Sequence, residues 1–352
     1  MRLTKLLLVA FILMECLACK SSNEMDNKKN ENIIKELSVI DSLLRDQEFA
    51  YLMAANLDSA YYIGVGENPQ EFISAKDDTS FFFISEKDEM IATNIAGFYA
   101  LECGIGFISA TSNRPFTSVL QAMLEGKIDS AEILILNRFA NATWKASQPF
   151  RGFERIKRPI FMIANFLPED EIKKDYHQVE IAGRKLWETM KSVADSSNHV
   201  QMQKLRSLLQ DTAYAFEMAT YIDSSYAATQ GQKQNPNDWG DSTIRKSTMS
   251  QKIAGSIAGF YALECGLNYF VKTSDRLPSE MLKALINDSL NQEELQVFAR
   301  FANATWKAGQ PFKGLSRIKR QTFTPFYFLT KADIDKDLVQ IKAAAKMLLQ
   351  YL

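Results

Sequence analysis

Ile95-Ala-Gly-Phe-Tyr-Ala-Leu-Glu-Cys-Gly104 and Ile257-Ala-Gly-Phe-Tyr-Ala-Leu-Glu-Cys-Gly266 are the same ten residues. Arg138-Phe-Ala-Asn-Ala-Thr-Trp-Lys-Ala146 returns in the same way as Arg300 to Ala308, so position 95 recurs at 257 and 138 at 300, an offset of 162. Self-similarity at a fixed period marks a duplicated structural unit. The offset holds from about Ile91 to Met190, whose counterpart is Leu352. Upstream it changes: Ala50 to Ser59 matches Ala215 to Ser224 at an offset of 165, which places the extra length in the polar connections 64–87 and 229–251.

Apolar spacing of three and four residues predicts helices nearly throughout. One run takes in Ile33, Leu37, Ile40, Leu44, Met53, Leu57 and Tyr61, and its counterpart Leu205, Leu209, Phe216, Ala219 and Tyr226. A second helix spans about 88–109, where the small residues Ala96, Ala100 and Gly104 allow a neighbour to approach closely. A short third follows the turn at Arg114 and Arg276. The fourth, about 130–147, begins at reciprocal caps, Asp129-x-x-Glu132 and Asn291-x-x-Glu294, and is expected to stop before Pro149 and Pro311. A last helix, about 169–192 and 331–351, closes each copy. Ser80 to Ile84 is the one stretch that reads as extended. The expected fold is all-α: two tandem homologous antiparallel bundles of about five helices, residues 33–192 and 193–352, packed either about a pseudo-twofold axis or in series.

The N-terminus has a different character. Arg2 and Lys5 precede a short apolar run, Leu6 to Met14, too short to span a bilayer as a helix. Cys16-Leu-Ala-Cys19 follows and resembles the lipobox of bacterial lipoproteins. The resemblance covers residues 1–19 only, and implies a signal peptide of residues 1–18, lipidation of Cys19 and a membrane anchor outside the cytoplasm. Lys20 in the next position favours the outer membrane. Residues 19–32, rich in Asn, Lys, Ser and Glu, read as a flexible tether. Cleavage after residue 18 removes Arg2, Lys5 and Glu15 and takes the formal charge from −1 to −2. A body so near neutrality argues against nucleic-acid binding driven by net charge.

Identity between the copies is uneven. In the closing helices one apolar type replaces another, as cores tolerate. From Arg138 to Arg158, by contrast, only four positions differ from Arg300 to Arg320: Ser147/Gly309, Arg151/Lys313, Phe153/Leu315 and Glu154/Ser316. Arg138, Asn141, Lys145 and Gln148 fall on one helical stripe, as do Arg300, Asn303, Lys307 and Gln310. Glu102 and Glu264 are the only charges within Ile95 to Ile105 and its counterpart, stretches apolar on nearly every face, and a carboxylate there must be paired, hydrogen-bonded or protonated. Arg138 is the expected partner of Glu102, and Arg300 that of Glu264. Two readings of the stripe stand open. One is a buried polar clamp between helices. The other is a cleft in each copy for a polar or anionic ligand, extended by Arg155 and Arg158 in the first and Arg317 and Arg320 in the second.

Chemistry beyond that is sparse. The chain has two histidines, His177 and His199, neither repeated nor at metal-ligand spacing. No phosphate loop, nucleophile elbow or Glu-x-x-His motif is present, and neither cofactor nor metal is expected. Cys103 and Cys265 read as a bridge between the copies or as two buried thiols. The expected protein is an anchored binding or interaction protein, its partner a protein or a small polar ligand. The alternatives are a hydrolase using Glu102 and Glu264 as acid and base, which requires both to face one cavity, and a purely structural envelope lipoprotein.

Overall fold

The computed structural model describes residues 27–64, 66–68, 80–229, 239–240 and 242–352. The signal and lipidation reading at residues 1–19 lies outside them. Helices dominate, as the periodicity predicts. In the first copy they are α1 (27–44), α2 (Gln47–Gly64), α3 (Glu86–Asn94), α4 (Ala96–Ser112), α5 (Phe116–Leu124), α6 (Ser130–Arg151) and α7 (Glu169–Met190). Then come α8 (Asn198–Leu209), α9 (Thr212–Thr229), α10 (Thr248–Ser274), α11 (Pro278–Ile286), α12 (Gln292–Gly309) and α13 (Lys331–Leu348). Two strands, β1 (Phe81–Ser85) and β2 (Thr243–Ser247), pair antiparallel.

Several local expectations need correction. The long first run is two helices, because Asp46 Oδ1 accepts from the N–H groups of Glu48 and Phe49 and starts a new helix. Asp211 does the same for Ala213 and Tyr214. Helix α1 already begins at residue 27, inside the segment read as tether, where Lys28, Lys29 and Glu31 are good helix formers that remain exposed. Strand β2 lies in a stretch read as a polar connection. Pro149 does not stop α6, which runs on to Arg151 and ends at Gly152 with φ 158°. In the second copy the helix does end early, at Gly309, which replaces Ser147. A side chain at 309 would press its Cβ to 2.8 Å from the Phe150 ring. The predicted capping boxes at Asp129 and Asn291 are both formed.

Packing crosses the chain midpoint. The centre is made by α4, α6, α10 and α12, each in contact with the other copy's helices. At Gly104 and Gly266 neighbouring helices approach closely, since a Cβ there would sit 2.7 Å from Leu136 and 2.6 Å from Phe298. Phe139 stacks on its own counterpart Phe301 at 4.4 Å between centroids, and Phe150 on Phe312 at 5.2 Å. In the ribbon Phe83 faces its counterpart Arg245. Around this centre α2 lies on α10 and α13, whereas α9 lies on α3 and α7. Matching caps join the neighbouring helices α8 and α1 to the same regions. Gln201 Oε1 on α8 accepts from Thr117 N at the start of α5, at 3.0 Å, and Glu36 Oε2 on α1 accepts from Ser279 N at the start of α11, at 2.8 Å. Every apolar side chain fully buried here contributes on the order of 1.5–3 kcal/mol. The span Glu86–Ser112 is apolar enough to cross a membrane, but 83% of that window is buried inside the protein, as suits a core helix.

Candidate functional site

Both glutamates are ion-paired in the interior, though not with the expected arginines. Glu102 Oε2 accepts from Lys307 Nζ at 2.5 Å, and Glu264 Oε2 accepts from Lys145 Nζ at 2.6 Å. Each bond runs from one sequence copy to the other. The arginines follow the same crossing, Arg138 lying in the field of Glu264 and Arg300 in that of Glu102. A helical stripe tells which residues share a face, not which helix that face meets. Here α6 meets α10, and α12 meets α4, so the intra-copy pairing is corrected to one between copies. Each thiol joins its neighbouring carboxylate: Cys103 donates to Glu102 Oε2 at 3.3 Å and Cys265 to Glu264 Oε2 at 3.2 Å. Both cysteines are free and buried. Burial and the adjacent glutamate push both thiols well above their usual range, so neither is a thiolate nucleophile near neutrality.

Outside each lysine stands a second acid, at equivalent positions. Asp175 and Asp337 are partly exposed, and burial raises both to about 7, assisted by Glu171 and Asp333 respectively and opposed by Lys145 and Lys307. Asn141 donates to Asp175 and reduces the rise.

Beyond these shared features the two clusters diverge. Around Glu264 the second carboxylate oxygen and the guanidinium both find partners: Asn268 Nδ2 donates to Oε1 at 2.7 Å, and Arg138 Nη2 donates to Asn165 Oδ1, while Arg138 Nε and Asn268 Oδ1 are left without one among the described residues. Around Glu102 the counterparts of those asparagines are Gly106 and Tyr327. Both hydrogen bonds to Glu102 fall on Oε2, so Oε1 accepts none among the described residues. Arg300 donates to no described group. Its guanidinium lies over the rings of Phe326 at 4.3 Å and Phe107 at 5.8 Å, and burial lowers it to about 10. A cavity of about 390 Å³ opens at this point, lined by Glu102, Cys103, Gly106 and Arg300, with α8 and the segment 325–327 as its outer wall.

The other residues singled out from the sequence lie elsewhere. Gln148 Oε1 accepts from Arg155 Nε at 2.9 Å, and Gln310 donates only to Trp306 O at 3.5 Å. Asn303 is buried, and its Oδ1 has no partner among the described residues. Arg158 and Arg320 are exposed. Arg155 is lowered to about 10 by burial and by the nearby Arg151 and Arg158; Arg317 is lowered by burial and by Arg320. None of these four arginines lines the cavity. Residues that sequence reasoning missed are Gly106, Tyr327, Asn268 and Asn165. Their signal was a difference between the copies beside an identical core.

Glu264 does not line the cavity, so an acid–base pair of the two glutamates has no common space in which to act. No cluster of three or more potential metal ligands occurs among the described residues. Comparison with protein-family models, with curated proteins and with solved structures gives no match.

Proposed function

We propose that this is a lipid-anchored binding protein of the cell envelope, held through Cys19, whose two sequence copies form an intramolecular pseudo-dimer with exchanged leading hairpins. One of its two equivalent ionic clusters is a structural clamp and the other a site for a small polar ligand. Three contacts between a residue and its own counterpart, Phe139–Phe301, Phe150–Phe312 and Phe83–Arg245, support a twofold relation. The binding reading is carried by one observation: Glu102 and Arg300, nearly sealed from solvent at 2% and 8% exposure, keep unengaged polar atoms at the wall of a cavity. Buried polar groups are ordinarily satisfied, so a pair left open beside empty space is suited to a ligand that satisfies it.

Two experiments test this reading. The anchor predicts incorporation of a labelled fatty acid into the protein and its loss in Cys19→Ala. For the site, the full chain in detergent is screened by thermal shift against sugars, phosphates, carboxylates, amines and amino acids, beside Gly106→Asn. At least one compound should raise the melting temperature of the parent and not of the variant. A panel in which no compound distinguishes the two proteins removes the binding role.

A further inference from the structure

We propose that the open cavity takes a small zwitterion, an α-amino carboxylate with an apolar side chain. The inference rests on the binding reading above and deepens it. The closed cluster carries its own answer to the question of what the open one lacks. There Asn268 supplies an N–H donor to the second oxygen of Glu264, and Asn165 supplies an oxygen acceptor to the guanidinium of Arg138. At the open cluster Gly106 and Tyr327 withdraw both, which leaves Glu102 Oε1 without a donor and Arg300 without an acceptor among the described residues. One ligand must therefore bring a donor and an acceptor to two groups that line the same cavity.

Charge sharpens the choice. The donor faces a carboxylate and the acceptor faces a guanidinium, so an ammonium and a carboxylate fit better than neutral groups, because charge-assisted hydrogen bonds are roughly twice as strong as neutral ones. Other cations near the wall are engaged: Lys307 by Glu102 Oε2, and Arg114 by Glu132. A single unengaged arginine suits one carboxylate rather than a polyanion. The rest of the lining includes Phe116, Met202, Leu205 and Phe326, which would bury an aliphatic or aromatic side chain. About 390 Å³ is room for a molecule of that size. Gly106 stands at the mouth of this space with nothing within 4 Å of where its Cβ would be, so a side chain there occupies the cavity without displacing the core.

The test is isothermal titration of the full chain in detergent with four probes: L-leucine, L-phenylalanine, 4-methylpentanoate, which lacks the amine of leucine, and isopentylamine, which lacks its carboxylate. At least one amino acid should bind ten-fold or more tightly than either half-molecule. Glu102→Gln should reduce it to the level of 4-methylpentanoate, Arg300→Gln to that of isopentylamine, and Gly106→Asn should abolish binding. The paired change Asn268→Gly with Asn165→Tyr should open the second cluster and raise the stoichiometry from one to two. The zwitterion is overturned if 4-methylpentanoate binds as tightly as leucine, if binding ignores both charge variants, or if no probe binds while another compound of the thermal-shift panel is lost in Gly106→Asn; in these cases the site itself stands. If nothing at all is sensitive to Gly106→Asn, the site falls with its ligand. Should Glu102→Gln fail to fold, Arg300→Gln and Gly106→Asn decide alone.

Discussion

The two ionic clusters share a glutamate, a lysine, an arginine and a cysteine at equivalent positions, yet one is closed and the other lies open to a cavity. Around Glu264 two asparagines give the second carboxylate oxygen and the guanidinium a partner, and the cluster is part of the core. Around Glu102 the same frame is left two groups short and faces a cavity. A polar motif repeated verbatim is therefore no guide to the number of sites it makes. What surrounds the repeated residues decides whether they hold the protein together or wait for something else.

The comparison can be broken most forcefully at the ion pairs. Removing one partner of a buried pair strands the other charge, at a cost of about 3–5 kcal/mol. Lys145→Met should show that full loss in urea unfolding, because Glu264 is then sealed without its ion-pair partner. Lys307→Met should lose less, because the free side of Glu102 borders a cavity that water can enter. Equal losses would mean that the two clusters are equally closed.

Glycine substitutions probe the packing beneath the clusters. Gly266→Ala drives a methyl group against the Phe298 ring, and Gly104→Ala drives one against the more compliant end of Leu136. Overpacking of this kind costs roughly 1–3 kcal/mol, and the phenylalanine side should be the worse of the two. Next comes Asn165→Ala, which leaves Arg138 without its acceptor and should destabilise by about 1–2 kcal/mol. Tyr327→Ala, at a side chain 53% exposed, should leave the unfolding midpoint nearly unchanged.

A separate expected effect is on pH dependence. Asp175 and Asp337 are raised in the folded protein from 3.8 to about 7, so the folded state holds protons that the unfolded state has released. Their contribution is complete below pH ~4 and is lost as pH rises through about 7, on the order of 1 kcal/mol for each after solvent screening. Unfolding midpoints should therefore be higher at pH 5 than at pH 8 with respect to these groups. Asp175→Asn and Asp337→Asn should each flatten that slope. An unchanged slope in the double variant would show that neither carboxyl is perturbed.

Helical class, the caps at Asp129 and Asn291 and the polar stripe were legible in the sequence, because each is set within one turn or two of chain. The breaks at Asp46 and Asp211 were legible in principle, since Asp at an N-cap is a local signal, but continuous apolar spacing across them masked it. Strand β2 could have been found from its counterpart β1 at the common offset, though Thr-Ile-Arg-Lys-Ser has too little apolar alternation to announce itself. The crossed pairing of Glu102 with Lys307 was not legible at all. Periodicity assigns a face to each residue, and only the tertiary arrangement assigns that face a neighbour. Gly106 and Tyr327 were visible, but identity between copies drew the eye away from the places where the copies part.

The contacts of α2 also govern the order in which the chain can be completed. Helix α2 ends at Gly64, yet α10 and α13, on which it lies, begin only at Thr248 and Lys331. The stretch from α3 through α9 carries partners of its own and can begin to close while synthesis continues. Helices α2 and α13 then meet last. Helix α2 is thus held in part by α13, and a chain stopped before α13 would leave that part of its apolar underside bare.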